Sequence, residues 1–236
     1  KRNPRWCLVG TPMDETLFPS FADVGRGITR NMIYAARAAY GRRVIDFIFD
    51  MKDAFQSTVA DETPDDPETP HLYCDQAPGF VEFGIDENGR EVELCCQVLS
   101  GMQGRIDASK IFGDVRDDLL VAACCIRNPM DPLTWLYVPK GMENTAETID
   151  QILDHCDKLE RENAGKSGQE HHPPGFAIIA THIDDGPGFC ERQRRSLDFI
   201  LGTMRVRYAV NWVPWGKVIG TGVTVRFIKY ETPFMG

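Results

Sequence analysis

Ile178-Ile179-Ala180-Thr181-His182-Ile183-Asp184-Asp185-Gly186 decides how this chain is read. An apolar, β-rich run leads straight into two adjacent carboxylates, and Gly186 follows where a tight hairpin turn needs a glycine. Two neighbouring aspartates at a strand end repel each other and bury poorly, so the pattern predicts something cationic beside them. A second run, Val44-Ile45-Asp46-Phe47-Ile48-Phe49-Asp50-Met51, also brings a strand-like stretch to a carboxylate. Along it Ile45, Phe47 and Phe49 alternate with Asp46, Ile48 and Asp50, which predicts one face on the core and one on a cleft. Two strands that each present an aspartate at one edge are the sequence picture of a divalent-metal site for phosphoryl transfer.

Composition bounds what such a site can belong to. The chain has 236 residues, 42% of them hydrophobic, enough to bury a core in one large or two small domains. No stretch is long and apolar enough to span a membrane, and no secretory signal is visible. The chain starts at Lys1 without a methionine and stops in Phe234-Met235-Gly236, so it is expected to be a piece of a longer polypeptide. None of its eight cysteines lies in a C-x-x-C arrangement, and the adjacent pairs Cys95-Cys96 and Cys124-Cys125 cannot bridge internally without strain. Reduced, mostly buried thiols in an intracellular protein are therefore expected. His171-His172 stand in a polar loop beside Pro173-Pro174 with no matching ligand pair, so no zinc site is expected there. The formal net charge of −9 opposes contact with phosphate, yet base gathers in Lys1–Arg5, Arg26–Arg43 and Arg192–Arg207, enough for a local basic surface.

Outward from the two carboxylate runs the pattern alternates. Gly27–Tyr40 has helical spacing in Ile28, Met32, Ile33, Ala36 and Ala39, and Gly41 fits a helix stop. Ala60–Pro70 reads as a surface loop, and Asp86-Glu87-Asn88-Gly89 as a hairpin turn with Glu91–Leu99 as its return strand. A helix is predicted from near Ile106, with Ile111, Val115, Leu119, Ala122 and Ile126 as its apolar stripe. Thr134–Val138 reads as a strand, and Lys140–Pro174 as a polar excursion holding one amphipathic helix on Ile149, Ile152, Leu153, Cys156 and Leu159. Ser196–Met204 reads as a further helix and Lys217–Ile228 as a β-rich tail, which makes the whole an α+β pattern.

Several segments, in order, resemble the reverse transcriptase domain of copia-type LTR retrotransposons over nearly the whole chain. Arg5-Trp6-Cys7-Leu8-Val9-Gly10 is similar to the family's Arg-Leu-Val-x-x-Gly opening, and Leu17-Phe18-Pro19-Ser20-Phe21-Ala22 to its aromatic-x-Pro-Val segment. Asp50-Met51-Lys52-Asp53-Ala54-Phe55 looks like Asp-Val-Lys-Thr-Ala-Phe. Tyr73-Cys74-Asp75-Gln76-Ala77-Pro78-Gly79-Phe80 is close to Tyr-Met-x-Gln-Pro-Pro-Gly-Phe, the most specific match. Leu99-Ser100-Gly101-Met102-Gln103-Gly104 stands for Leu-Tyr-Gly-Leu-Lys-Gln, Ile183-Asp184-Asp185 for Val-Asp-Asp, and Val218-Ile219-Gly220 for Phe-Leu-Gly.

The resemblance implies the fingers and palm of a right-hand polymerase, an antiparallel palm sheet with helices on one face and the thumb absent. Fingers would take roughly 1–43 and 56–99, and palm roughly 44–55 and 100–236, with a polar insertion at roughly 140–174. The implied activity is RNA-directed DNA polymerisation, in which a primer 3′-hydroxyl attacks a dNTP. Asp50 and Asp184 would be the main metal ligands and Asp185 the supporting one, holding Mg²⁺ or Mn²⁺. Phe55 would pack under the sugar, Ser100, Gly101 and Gln103 would line the nucleotide pocket, and Arg5 would meet the triphosphate. His182 and Gly220 would touch the primer. Implied partners are an RNA template, a DNA or tRNA primer, dNTPs and the thumb, RNase H and integrase parts of a Pol polyprotein, with no membrane. The implied setting is a cytoplasmic virus-like particle, and the nucleus for DNA integration.

The chain also departs from the pattern. His182 replaces a tyrosine, Asp53 a small or hydroxyl residue, and Gln103-Gly104 the Lys-Gln of the template-side turn. These changes, with the acidic total, leave a second reading open: a catalytically silent or decayed palm domain that binds nucleic acid or serves assembly. A nucleotidyl cyclase-like palm, which shares two metal carboxylates, is a third, and Phe55 and the Tyr73–Phe80 match argue against it.

Overall fold

The computed structural model describes residues 27–59, 65–66, 68, 71–76, 79–102, 104–143, 148–163 and 172–214. In chain order the elements are α1 (Gly27–Tyr40), β1 (Val44–Lys52), β2 (Tyr73–Cys74), β3 (Phe83–Ile85), β4 (Glu91–Glu93) and β5 (Cys96–Gln97). They continue with α2 (Ala108–Ala122), β6 (Ile126–Arg127), β7 (Thr134–Tyr137), α3 (Ile149–Asn163), β8 (Ala177–Ala180), β9 (Asp185–Glu191), α4 (Arg195–Met204) and β10 (Ala209–Pro214). Two compact units emerge, one holding the described residues from 53 to 118, the other those of 27–52 and 119–214. The segment 27–43, which the resemblance assigns to the fingers, clusters with the second unit because Ile33 of α1 is buried in that unit's core.

The second unit is a mixed α/β layer structure on an antiparallel sheet. Its described strands run in the order β10-β1-β9-β8-β7-β6, every neighbouring pair antiparallel. Alternation of side chains divides it into two faces. On one, Val44, Leu136, Ile178 and Phe189 pack with Ile33 and Ala36 of α1 and with Ile152, Leu153 and Cys156 of α3. On the other stand Phe47, Phe49, Met51, Trp135, Tyr137 and Ile179, all buried, and Tyr137 meets Phe199 of α4 at 6.0 Å between ring centroids. Helices thus cover both faces rather than the one the resemblance implies, because α4 buries its own stripe of Leu197, Ile200, Leu201 and Met204. The helix within the expected polar insertion is likewise part of the core, through Ile152, Leu153 and Cys156. At the far end of β9 the buried carboxylate of Glu191 accepts hydrogen bonds from the Phe176 amide (2.8 Å), the Ser196 amide (3.0 Å) and the Ser196 hydroxyl. It thereby clamps the first turn of α4 to the sheet, and burial pushes its pKa up despite those bonds.

Two glycines decide how β1 meets β9. The register sets Phe47 against Gly188 and Phe49 against Gly186, and both rings lie across the space a side chain would fill. A Cβ at Gly188 would stand 2.6 Å from Phe47 Cζ and from the Ile178 carbonyl oxygen; one at Gly186 would stand 2.7 Å from Phe49 Cε1 and would also collide with the Ala180 carbonyl. Gly186 therefore serves packing inside the strand and does not make the turn, as its place after the aspartates suggests. The turn lies earlier: His182 and Asp185 exchange both backbone hydrogen bonds (2.7 and 3.0 Å), and Ile183 and Asp184 form the tip. Positive φ falls on Ile183 at 45°, where a β-branched residue stores about 1–3 kcal/mol of strain.

Other expectations meet the structure unevenly. Gly41 ends α1 with φ of +53°, and the Asp86–Gly89 turn is closed by the Asp86 carboxylate accepting from the Asn88 and Arg90 amides. Its return segment splits, β4 pairing with β3 and β5 with β2. In α2 the buried positions are Ala108, Phe112, Arg116 and Leu120, one residue beyond the expected stripe, and Ile126 lies in β6. Phe112 takes the inner position because it is the largest apolar side chain on the helix, and Arg116 lies over its ring at 6.0 Å. Of the described cysteines, Cys95, Cys96 and Cys124 are exposed and Cys74 half-buried, against the mostly buried set expected; the first three sit in loops or at an edge strand. The β-rich tail from Lys217 lies outside the described residues.

Gly188→Ala is expected to cost about 1–3 kcal/mol in urea unfolding, since Phe47 and a backbone carbonyl must both give way. Gly202→Ala on the open face of α4 should instead gain about 0.5–1 kcal/mol.

Candidate active site

Two strands and the turn that leads into β9 build an acidic edge within the second unit. Asp50 stands near the end of β1, directly opposite Asp185 at the start of β9, so the two side chains leave the sheet on the same face. Asp184 sits at the hairpin tip, and its carbonyl accepts from the Met51 amide at 2.8 Å, tying the tip to β1 next to Asp50. The far side of Asp50 is flanked by Asn211 of β10, again in direct register. Asn211 was missed from sequence because β10 was missed; the alternation Tyr208, Val210, Trp212 against Ala209 and Asn211 is the signal that marks the strand.

Negative charge crowds at this edge. Burial raises the Asp50 pKa, and the negative charge of Asp184 raises it further. Among the described residues no lysine or arginine forms an ion pair with Asp50 or Asp184. His182 Nδ1 stands 3.8 Å from Asp185 Oδ1, with the imidazole more than half exposed. Also among the described residues, no group of three or more His, Cys, Asp or Glu side chains is arranged to hold a metal ion. What the strands supply is proximity in the backbone: three aspartates, from two paired strands and the turn that leads into β9, all of them hard oxygen donors by type. That donor set fits Mg²⁺ or Mn²⁺, which take part of their shell from water and phosphate.

The residues expected around a nucleotide fall elsewhere. Phe55, Ser100 and Gly101 lie together in the first unit: Gly101 N–H donates to the Thr58 carbonyl (2.9 Å), Ser100 bridges Val59, and a Cβ on Gly101 would meet the Phe55 carbonyl oxygen at 2.6 Å. Glycine is needed there for close approach to the backbone beside Phe55. The half-buried Phe55 ring packs edge-on against Phe112 at 5.8 Å. Gln76 of the Tyr73–Phe80 segment holds neighbouring backbone in place. Its side-chain amide bonds both the carbonyl and the N–H of Glu82 at 2.8 Å, and reaches the Leu94 carbonyl. Arg5, Gln103 and Gly220 lie outside the described residues.

Compared with family models, with curated proteins and with solved structures, the chain finds no match.

The raised pKa of Asp50 fixes a sign. A carboxyl that holds its proton more tightly in the fold than in the unfolded chain adds stability at low pH, and that contribution is lost as pH rises through the folded-state pKa. Without divalent ions, Asp50→Asn should therefore raise the unfolding free energy from urea titration at pH 7, by under about 1 kcal/mol given solvent screening, and leave it unchanged near pH 3.

Proposed function

We propose that this chain is the fingers and palm of an RNA-directed DNA polymerase of the copia-type retrotransposon class. The observation that carries the reading is the direct pairing of Asp50 with Asp185, beside Asp184 at the tip of the two-residue turn between β8 and β9. Carboxylates so placed can hold two divalent ions, which when bound activate a primer hydroxyl and stabilise the leaving pyrophosphate. Asp50 and Asp184 are the main holders and Asp185 the supporting one. Primer contact is assigned to His182, a reading supported by its exposure beside Asp185. Exposed Arg192, Arg205 and Arg207 supply base near α4 for nucleic-acid phosphates. In the first unit, Phe55 beside Ser100 and Gly101 is the proposed sugar and base pocket, selecting deoxynucleotides by the bulk of the ring.

The net charge of −9 favours a second reading, a silent palm that binds a partner without chemistry. Primer extension on an RNA template separates the two, with the domain in its complete polyprotein and Mg²⁺ or Mn²⁺ present. Deoxynucleotide incorporation that Asp184→Asn lowers by about a hundredfold or more is the expected result. A folded protein that binds primer–template and extends nothing would establish the silent palm instead.

A further inference from the structure

Cys74 ends β2 and Cys96 begins β5, and the antiparallel register sets them directly opposite each other. The Val98 amide donates to the Leu72 carbonyl at 2.8 Å, which makes that neighbouring pair hydrogen-bonded, and two residues along Cys74 and Cys96 pair in the same way. Opposed residues project from the same face, with Cα atoms about 5.5 Å apart in such a pair. A disulfide spans Cα separations of about 4.4–6.8 Å. Both residues are free thiols here; Cys96 is exposed and Cys74 half-buried, so a small oxidant reaches the pair. Cys95 is next in sequence but lies outside the paired residues.

We propose that Cys74 and Cys96 are an oxidative modification site, which a peroxide converts into a cross-strand disulfide pinning β2 to β5. The exposed Cys96 reacts first: its thiolate sulfur attacks one peroxide oxygen, the O–O bond breaks, and a sulfenic acid forms as hydroxide leaves and is protonated to water. Cys74 sulfur then attacks the sulfenic sulfur, the S–O bond breaks, and the departing hydroxide takes the Cys74 proton as a second water. Two thiols and one hydrogen peroxide become one disulfide and two waters; sulfur gives up the two electrons that the peroxide oxygens gain. This order agrees with the environment of Cys74, whose thiol is pushed up by burial and by the neighbouring Cys96, Asp75 and Cys95, and so stays protonated until it resolves the sulfenic acid. A small molecular dithiol reverses the step.

The bond would stiffen a functional stretch. β2 opens the Tyr73–Phe80 segment, and the chain leaving β5 continues through Val98 to Ser100 and Gly101 beside Phe55. That consequence rests on the polymerase reading, whereas the disulfide itself does not, so its test reads the bond and not activity.

The full chain is treated with hydrogen peroxide, the remaining thiols are alkylated, and the peptides are mapped by mass spectrometry. The expected product is a Cys74 peptide joined to the Cys95-Cys96 peptide, two hydrogens lighter than the sum and separated by dithiothreitol. Because one peptide carries both neighbours, Cys95→Ser should keep the link and Cys96→Ser should lose it. The proposal is overturned if Cys74 is recovered alkylated while exposed Cys124 is oxidised, or if the link survives in Cys96→Ser. The wild-type map stands alone should either variant fail to fold.

Discussion

Two phenylalanine rings lying over two glycines set the register on which the site depends. Phe47 and Phe49 of β1 fill the space left open at Gly188 and Gly186 of β9, and only one alignment of the strands allows both. A slip by one residue would press the rings against Pro187 or Phe189 and turn Asp50 to the opposite face. The same alignment that buries the rings thus puts Asp50 across from Asp185. Packing on one face fixes the register of the aspartates on the other.

The acidic edge is held against its own preference. Asp50 is partly desolvated and faces the charge of Asp184, and the tip that presents Asp184 keeps Ile183 at positive φ. Such conflicts persist only where the surrounding structure enforces them, and here the enforcement is local: the Met51–Asp184 and His182–Asp185 backbone bonds and the two ring–glycine contacts. A divalent cation can draw on several carboxylates at once, whereas a single lysine would offset only one charge. The strain and the proposed chemistry are in this sense one arrangement.

Sequence made much of this legible where a signal is short-range. The strand at β1, the α1 spacing with its glycine stop, the Asp86–Gly89 turn and the α4 stripe each state their structure in a few residues, whereas the β1 face expected to line a cleft is largely covered, with Ile48 and Val44 buried on it. Signals that depend on what lies opposite were misread. Gly186 looks like a turn residue from its neighbours in sequence, and only the partner strand reveals that it makes room for Phe49. The α2 stripe was displaced because several apolar residues compete for the inner face and volume favours Phe112. The pairing of Cys74 with Cys96 was invisible because two-residue strands carry no periodicity. For the site, the residue types were readable and the partners were not: nothing in the chain's order announces that Asp50 faces Asp185 on one side and Asn211 on the other.

The central claim, that strand register assembles a divalent-cation site, is tested most directly by Mn²⁺ titration, following the free-ion electron paramagnetic resonance signal. Wild type, Asp50→Asn and, as a control on the exposed side of α4, Asp198→Asn are compared in the same buffer. The account predicts binding by wild type and Asp198→Asn, weakened by about tenfold or more in Asp50→Asn. Equal binding by wild type and Asp50→Asn would contradict it.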